Sequence, residues 1–305
     1  MIYYEIRKIK GKKLHYLVYN IRKGERWVKK AKLIGKGHID KSKIALEKNK
    51  FEKEIIENKK YEYLSKPEIK KIEYFKEIYN KKIRGMKKEE YEIFQKSFFT
   101  ELTYNSNAIE GNSLSLQETS LVVNEGMAPE GKTLREIYEA RNHVKALEFL
   151  KAYKGDLNEE FILRLHSMML SDIGGRFAGK YRETQVRIFG SDVKFPISMK
   201  VPQLMKNFIY WYKKNKNKYH QFELAILMSM KLVSIHPFVD GNGRVSRLVM
   251  NFLLNKRNYP WVNIYNKKRQ KYLEAVRKAN DENYSLIFPL LLDTLEENLK
   301  DFGIL

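Results

Sequence analysis

The stretch QFELAILMSMKLVSIHPFVDGNGRVSRLVMNFLLNKR, residues 221–257, decides the fold class. Gln221 to Ile235 are mostly apolar, as in a buried helix, and they end just before His236. Pro237 cannot continue that helix. Asp240-Gly241-Asn242-Gly243 is a run of turn-forming residues, and a second helix opens near Gly243–Arg244 with apolar residues three and four apart.

Outward from this stretch most segments repeat the helical spacing. Residues 39–64 and 66–86 read as charged amphipathic helices. Residues 94–109 continue helically, and Gly111 with Asn112 supplies a stop. Residues 134–153, 158–170, 201–215, 269–280 and 285–302 complete the set. Residues 1 to about 37 differ. IYYEIRKI, LHYLVYNIR and RWVKKAKLIG are rich in aromatic and β-branched residues, separated by GKK and KGE, and predict a three-stranded meander. GKYRETQVRIFGSDVKFPIS, residues 179–198, alternates between Gly and Pro punctuation and predicts one hairpin. The expectation is a mainly α chain in three parts: a basic β meander over 1–40, a helical region over 41–130, and a helical core over 131–305. No internal repeat is present.

Composition bounds the rest. The chain has 305 residues, 43% hydrophobic, enough for an ordinary core. It has no cysteine, which excludes disulfides and thiolate-bound metals. No stretch nears the roughly 20 apolar residues of a membrane span, and MIYYEIRKIKGKK lacks the apolar core of a signal peptide. The expected setting is cytoplasmic, without a membrane. The net charge is +22. Such an excess either equips a nucleic-acid-binding face, for which the Lys-rich N-terminal strands are the candidate, or is a solvated Lys-rich surface.

HPFVDGNGRVSR, residues 236–247, carries the chemistry. Gly241 and Gly243 expose backbone N–H groups at a helix start, an anion cradle suited to phosphate. Arg244 and Arg247, three apart on one helix face, can each grip phosphate oxygens in bidentate fashion. Asp240 beside the cradle would repel bare phosphate, and Mg²⁺ between them removes the conflict. His236 titrates near neutrality and suits deprotonation of an incoming hydroxyl. A Ca²⁺ loop fails on spacing, with no Glu at its twelfth position. The parts amount to phosphoryl or nucleotidyl transfer from a metal-bound nucleoside polyphosphate.

These residues match every specified position of the Fic family signature, HPFx[DE]GNGRxxR, and the likeness extends over roughly residues 60 to 290. SNAIEGN, with Ser106 and Glu110 one turn apart, resembles the family's inhibitory helix motif, [ST]xxxE[GN], and marks residues 94–112 as that helix. GKYRETQVRIFG resembles the flap hairpin that docks the target. YLEAVRKAN resembles the segment lining the adenosine pocket, with Tyr272 and Asn280 at the matching positions. The resemblance implies a Fic-type helical bundle with a β-hairpin flap. It also implies AMPylation, the transfer of AMP from ATP to a Ser, Thr or Tyr hydroxyl of a protein, or of the chain itself. By that likeness His236 is the general base and Asp240 holds Mg²⁺, or Mn²⁺. Asp240, Gly241, Asn242, Gly243, Arg244, Arg247, Tyr272 and Asn280 bind ATP. Arg187, Ile188, Phe189 and Gly190 dock the target segment as an added strand. Glu110 pairs with Arg247 and withholds it from the γ-phosphate. A homodimer that stabilises the inhibitory helix is a further expectation. Two other readings stand beside this one: Glu110-assisted removal of AMP at the same site, and a nucleic-acid-binding module in the basic N-terminus.

Overall fold

The computed structural model describes residues 2–23, 26–57, 60–187 and 193–305. The chain divides into two compact units, residues 1–61 with 214–220 and residues 62–213 with 221–305.

The first unit is built on an antiparallel sheet in the order β1 (Ile2–Ile9), β2 (Lys12–Lys23), β3 (Arg26–Lys36). Lys10 and Gly11, both at positive φ (48° and 73°), join β1 to β2. That is the geometry whose twist matches a two-residue hairpin. In β3 the register shifts opposite His15 and Tyr16, which adds Ile34 to the strand. Helix α1 (Lys41–Glu57) covers one face, where Ile2, Leu17, Ile34 and Phe51 form the core. Lys32 on that face is neutralised by Glu47 and Glu54 of α1, at 3.8 and 2.5 Å.

The second unit is helical: α2 (Lys66–Gly85), α3 (Lys88–Ile109), the single turn α4 (Leu116–Ser120), α5 (Leu134–Ala152), α6 (Glu159–Met169), α7 (Val201–Asn215), α8 (Gln221–Ile235), α9 (Asn242–Asn255), α10 (Arg269–Asn280) and α11 (Ile287–Asp301). Helix α8 is its axis. Twelve of its residues are buried, Phe222 through Met230 without a break, so it has no solvent face. Helix α9 buries Val245, Leu248, Val249 and Phe252. Phe252 packs on Phe161 of α6 with the rings tilted and their centroids 4.5 Å apart, and Phe149 of α5 joins that cluster. Local rules set the ends. Thr133 and Glu136 close a capping box on α5. Buried Glu223 takes the backbone N–H groups of Glu62, Tyr63 and Leu64, so its charge is solvated by protein rather than water.

Two expectations shift. Helix α3 begins at Lys88, earlier than Phe94, because Glu90 accepts the Lys87 N–H at 2.9 Å and starts the helix there. The segment read as a hairpin over 179–198 has no strand among its described residues, and 188–192 lie outside them. Its two arms are instead tied by side chains. Gln185 Nε2 donates to the Phe195 carbonyl at 3.2 Å, and Arg182 Nη2 donates to Pro196 O at 2.5 Å. Among the described residues no helix is long and apolar enough to cross a membrane.

Candidate active site

Helix α8 delivers His236 one residue past its end. The residue sits at φ +51°, the left-handed conformation that usually closes a helix at Gly. Holding it there without Gly is a local strain of the kind found at functional sites. Its ring stacks on Phe195, with centroids 3.8 Å apart. Nδ1 lies 3.2 Å from the Val233 carbonyl, so a proton on Nδ1 is donated there and the Nε2 lone pair is left outward. Burial pushes its pKa down to about 4 and Arg182 adds to this, against the opposing pulls of the Val233 carbonyl, Glu110 and Asp240. The imidazole is therefore neutral at pH 7, the form a general base requires.

The loop after His236 is closed by side chains. Asn242 accepts the Phe238 N–H through Oδ1 and donates to the Phe238 carbonyl through Nδ2, both at 2.9 Å. Gly241, at φ +78°, makes the turn. His166 of α6 stacks under Phe238 at 3.7 Å and donates from Nε2 to the Asp240 carbonyl, while its Nδ1 accepts the Gly179 N–H. The backbone N–H groups at the start of α9 are thereby fixed as an anion cradle.

Asp240 and Arg244 belong to a four-charge cluster. Arg244 Nη1 lies 3.0 Å from Glu139 and Nη2 lies 3.4 Å from Asp240. Arg135 reaches both carboxylates, Glu139 at 3.3 Å and Asp240 through Nη2. Burial would raise the Asp240 pKa, but Arg244, the Gly241 N–H and Arg135 together hold it below the usual value. Arg244 is 2% exposed. Its Nε and Nη1 have no hydrogen-bond acceptor, so the Glu139 contact is an ion pair without a directed hydrogen bond. Among the described residues no three His, Cys, Asp or Glu side chains surround a common metal position. Mg²⁺ commonly binds through one carboxylate plus substrate phosphates, so the half-exposed Asp240 carboxylate fits as a shared ligand.

Arg247 is buried and held by α3. Nη1 pairs with Glu110 Oε1 at 2.8 Å, Nε donates to Ser106 Oγ at 3.1 Å, and Nη2 donates to the Ser106 carbonyl at 2.7 Å. Burial lowers its pKa, yet Glu110 and Tyr272 together outweigh this and the net shift is upward. The Glu110 carboxylate also presses on the backbone of α9. A Cβ on Gly243 would stand 2.2 Å from Glu110 Oε1. Only glycine at 243 leaves room for a carboxylate at this depth. Arg269 of α10 donates to the Ile109 carbonyl at 2.8 Å and secures the end of α3.

Tyr272 is buried on α10 with Arg247 5.9 Å from its ring centre. Asn280, two turns on, donates to the Val276 carbonyl and leaves a buried Oδ1 without a partner. Arg187 lies in an irregular segment, and Ile188, Phe189 and Gly190 lie outside the described residues.

Several residues at the site gave no signal in the sequence. Arg182 is 2% exposed and its side chain donates to three carbonyls, that of Thr184 in its own segment at 3.1 Å and those of His236 at 2.7 Å and Pro196. His143 of α5 is fully buried with Thr103, and burial, with Arg247 and Arg244 nearby, takes its pKa down to about 3. His166, Glu139 and Arg135 complete the set. Arg182, His166 and Arg135 lie 54, 74 and 105 positions before the loop residues they bond, and His143 lies 40 after Thr103, so periodicity could not connect them.

A neutral base, an anion cradle, two buried arginines and a carboxylate at the mouth are now on one helix end. Residues 156–254 match the family model described as Fic/DOC family. A protein named Protein adenylyltransferase Fic from Drosophila grimshawi is 34% identical over 224 residues, 72% of this chain and 44% of that protein. Its namesake from Drosophila melanogaster is 34% identical over 209 residues, 67% of this chain and 42% of that protein. The chain thus spans less than half the length of these curated relatives. A solved Fic domain containing signaling protein from Bacteroides thetaiotaomicron superposes with a TM-score of 0.68 at 26% identity, covering 76% of this chain and 94% of that one. Fic-1 from C. elegans shares the fold, with a TM-score of 0.68 at 22% identity over 87% of this chain and 77% of that one. With the full signature on a fold of this kind, the chain belongs to the Fic/DOC family.

Proposed function

We propose that this protein transfers AMP from ATP to a hydroxyl group of a protein, itself included, and that Glu110 holds the site in a self-inhibited state. The observation that carries the proposal is the position of the Glu110 carboxylate. It lies in the anion cradle against Gly243 and pairs with Arg247 at 2.8 Å. A carboxylate there stands where a phosphate would bind and engages the cation that would bind it. The name shared by the Drosophila relatives supports the same reaction.

In this reading His236 Nε2 accepts the proton of the target hydroxyl. The hydroxyl oxygen forms a bond to the α-phosphorus of ATP, the bond from that phosphorus to the bridging oxygen breaks, and pyrophosphate leaves. Tyr272 and the open Asn280 Oδ1 flank the adenosine. The N-terminal amides of α9 take the α-phosphate, while Arg244 and, once released, Arg247 take the outer phosphates. Asn242 contributes by holding the loop, since its side chain is engaged with Phe238. Asp240 would hold Mg²⁺ or Mn²⁺, which supplies charge neutralisation on the phosphates. Arg187 to Gly190 would dock the target backbone.

A second reading follows from the same carboxylate. Glu110 is about a third exposed, so it can also orient water toward a phosphodiester, which would remove AMP from a modified protein. The two are separated with ATP labelled at the α-phosphate, a γ-labelled control, and Mg²⁺. Glu110→Gly is expected to put α-label and no γ-label into protein, and Glu110→Gly/His236→Ala none. Unlabelled Glu110→Gly, with loss of AMP from a pre-modified protein by the wild type, would establish the hydrolytic reading instead.

A further inference from the structure

Residues 1–37 hold twelve of the chain's 59 Lys and Arg and two of its 37 Asp and Glu. That is a net +10 of the total +22 on about an eighth of the residues. The excess has an address. Lys8 of β1 pairs directly across from Lys13 of β2, Ile9 pairs with Lys12, and Lys10 occupies the turn between them. Lys36, at the end of β3, pairs with Leu14 beside the same turn. All five lysines are exposed. Among the described residues none of them makes an ion pair, whereas Lys32, farther along the sheet, is neutralised twice by α1. Like charges directly opposed on a hairpin are destabilising. Lys10 adds to this, for at φ +48° it stands in a turn position that Asn or Gly fills at lower cost. The fold thus holds a cluster of five cations, at a local cost, on one end of the three-stranded sheet, around the β1–β2 turn.

We infer that this tip is a binding site for duplex DNA, with the β1–β2 hairpin entering the major groove and Lys8, Lys10, Lys12, Lys13 and Lys36 on the flanking phosphates. Dimensions agree: β3 ends beside Leu14 and Lys13, and beyond it only the Ile9–Lys12 pair and its turn project, a two-stranded tip roughly 5 Å across of the kind a major groove about 12 Å wide admits. Charge agrees, because duplex DNA presents about one negative charge per 1.7 Å of axis. A single strand fits less well. Such ligands are held by stacking bases on open aromatic rings, and two of the rings here are already engaged. Arg7 covers Tyr16 at 4.4 Å, and Tyr4 stacks with His15. The inference does not depend on AMP transfer, and the two stand or fall separately.

The test is fluorescence anisotropy of a labelled mixed-sequence duplex with the full chain, titrated between about 50 and about 200 mM salt. Five phosphate contacts predict a slope of log K against log salt near −4.5, so affinity falls roughly 10²–10³-fold across that range. The variant Lys8→Gln/Lys10→Gln/Lys12→Gln/Lys13→Gln should bring the slope to about −1. Removing four exposed lysines elsewhere, Lys70→Gln/Lys81→Gln/Lys82→Gln/Lys88→Gln, should leave it near the wild-type value. Lys10→Asn suits the turn, so it should weaken DNA binding while leaving the fold at least as stable. The inference is overturned by absence of salt-dependent binding, by equal losses in the two quadruple variants, by unchanged binding in Lys10→Asn, or by tighter binding of a single-stranded RNA of the same length.

Discussion

At the scale of residues, the site is a set of side chains each denied an alternative. His236 has one ring nitrogen given to the Val233 carbonyl, and the other is the atom the proposed reaction would use for the proton of the target hydroxyl. Burial keeps it neutral down to about pH 4, so the rate of AMP transfer should stay flat from pH 8 to pH 6. It should fall only as the pH approaches the shifted value, rather than around the ordinary 6.5. A pH–rate profile of Glu110→Gly with half-maximal activity near 6.5 would show that the buried state is not the reacting one. Gly243 is the complementary case. Its missing Cβ is the space into which Glu110 reaches. Gly243→Ala is therefore expected to destabilise the wild type by about 1–3 kcal/mol and the Glu110→Gly variant far less. Chemical denaturation of the four proteins of that cycle measures the difference, and equal costs in both backgrounds would place the strain elsewhere.

At the scale of elements, helix α3 brings Glu110, α8 brings His236 and α9 brings Arg244 and Arg247, and Arg182 joins the segment 182–196 to His236. Arg182 spans carbonyls of Thr184, Pro196 and His236 with one planar group. A lysine cannot reproduce that fork. Arg182→Lys should lower kcat by one to two orders of magnitude by loosening the base, as small displacements do, and leave the KM for ATP near wild type. A raised ATP KM with unchanged kcat would assign Arg182 to the nucleotide instead. This element also shows where sequence reading succeeds and stops. Helices and strands were legible because apolar spacing repeats locally. The loop 236–247 was legible because a base, glycines, an acid and arginines sit within one short stretch. Arg182, His143 and His166 were not, because the partners that matter at the site, the His236 carbonyl, the Thr103 hydroxyl, and the Phe238 ring with the Asp240 carbonyl, lie far away in sequence. The 179–198 segment read as a hairpin from alternation and Gly/Pro punctuation, but its arms are bound by side chains rather than by a described ladder.

At the scale of the whole molecule, the second unit buries three neutral imidazoles around one centre. Burial takes His143 down to about 3 and His166 and His236 down to about 4. The folded values lie below the unfolded one, so between about pH 4 and 6.5 the unfolded chain binds more protons and stability falls as the pH falls. Each imidazole contributes on the order of 2 kcal/mol to the loss at pH 5. Denaturation midpoints at pH 7, 6 and 5 should descend steeply, well before the carboxylates titrate; a flat profile would mean these rings are protonated in the folded state. The central claim is that Glu110 restrains the enzyme by occupying Arg247. It is tested most directly by initial rates of AMP incorporation for the wild type, Glu110→Gly, Arg247→Ala and the double variant. The account predicts at least a tenfold gain, about 1.4 kcal/mol in the barrier, for Glu110→Gly, and loss of that gain when Arg247→Ala is added. A Glu110→Gly rate no higher than wild type, or a gain that survives without Arg247, would contradict it.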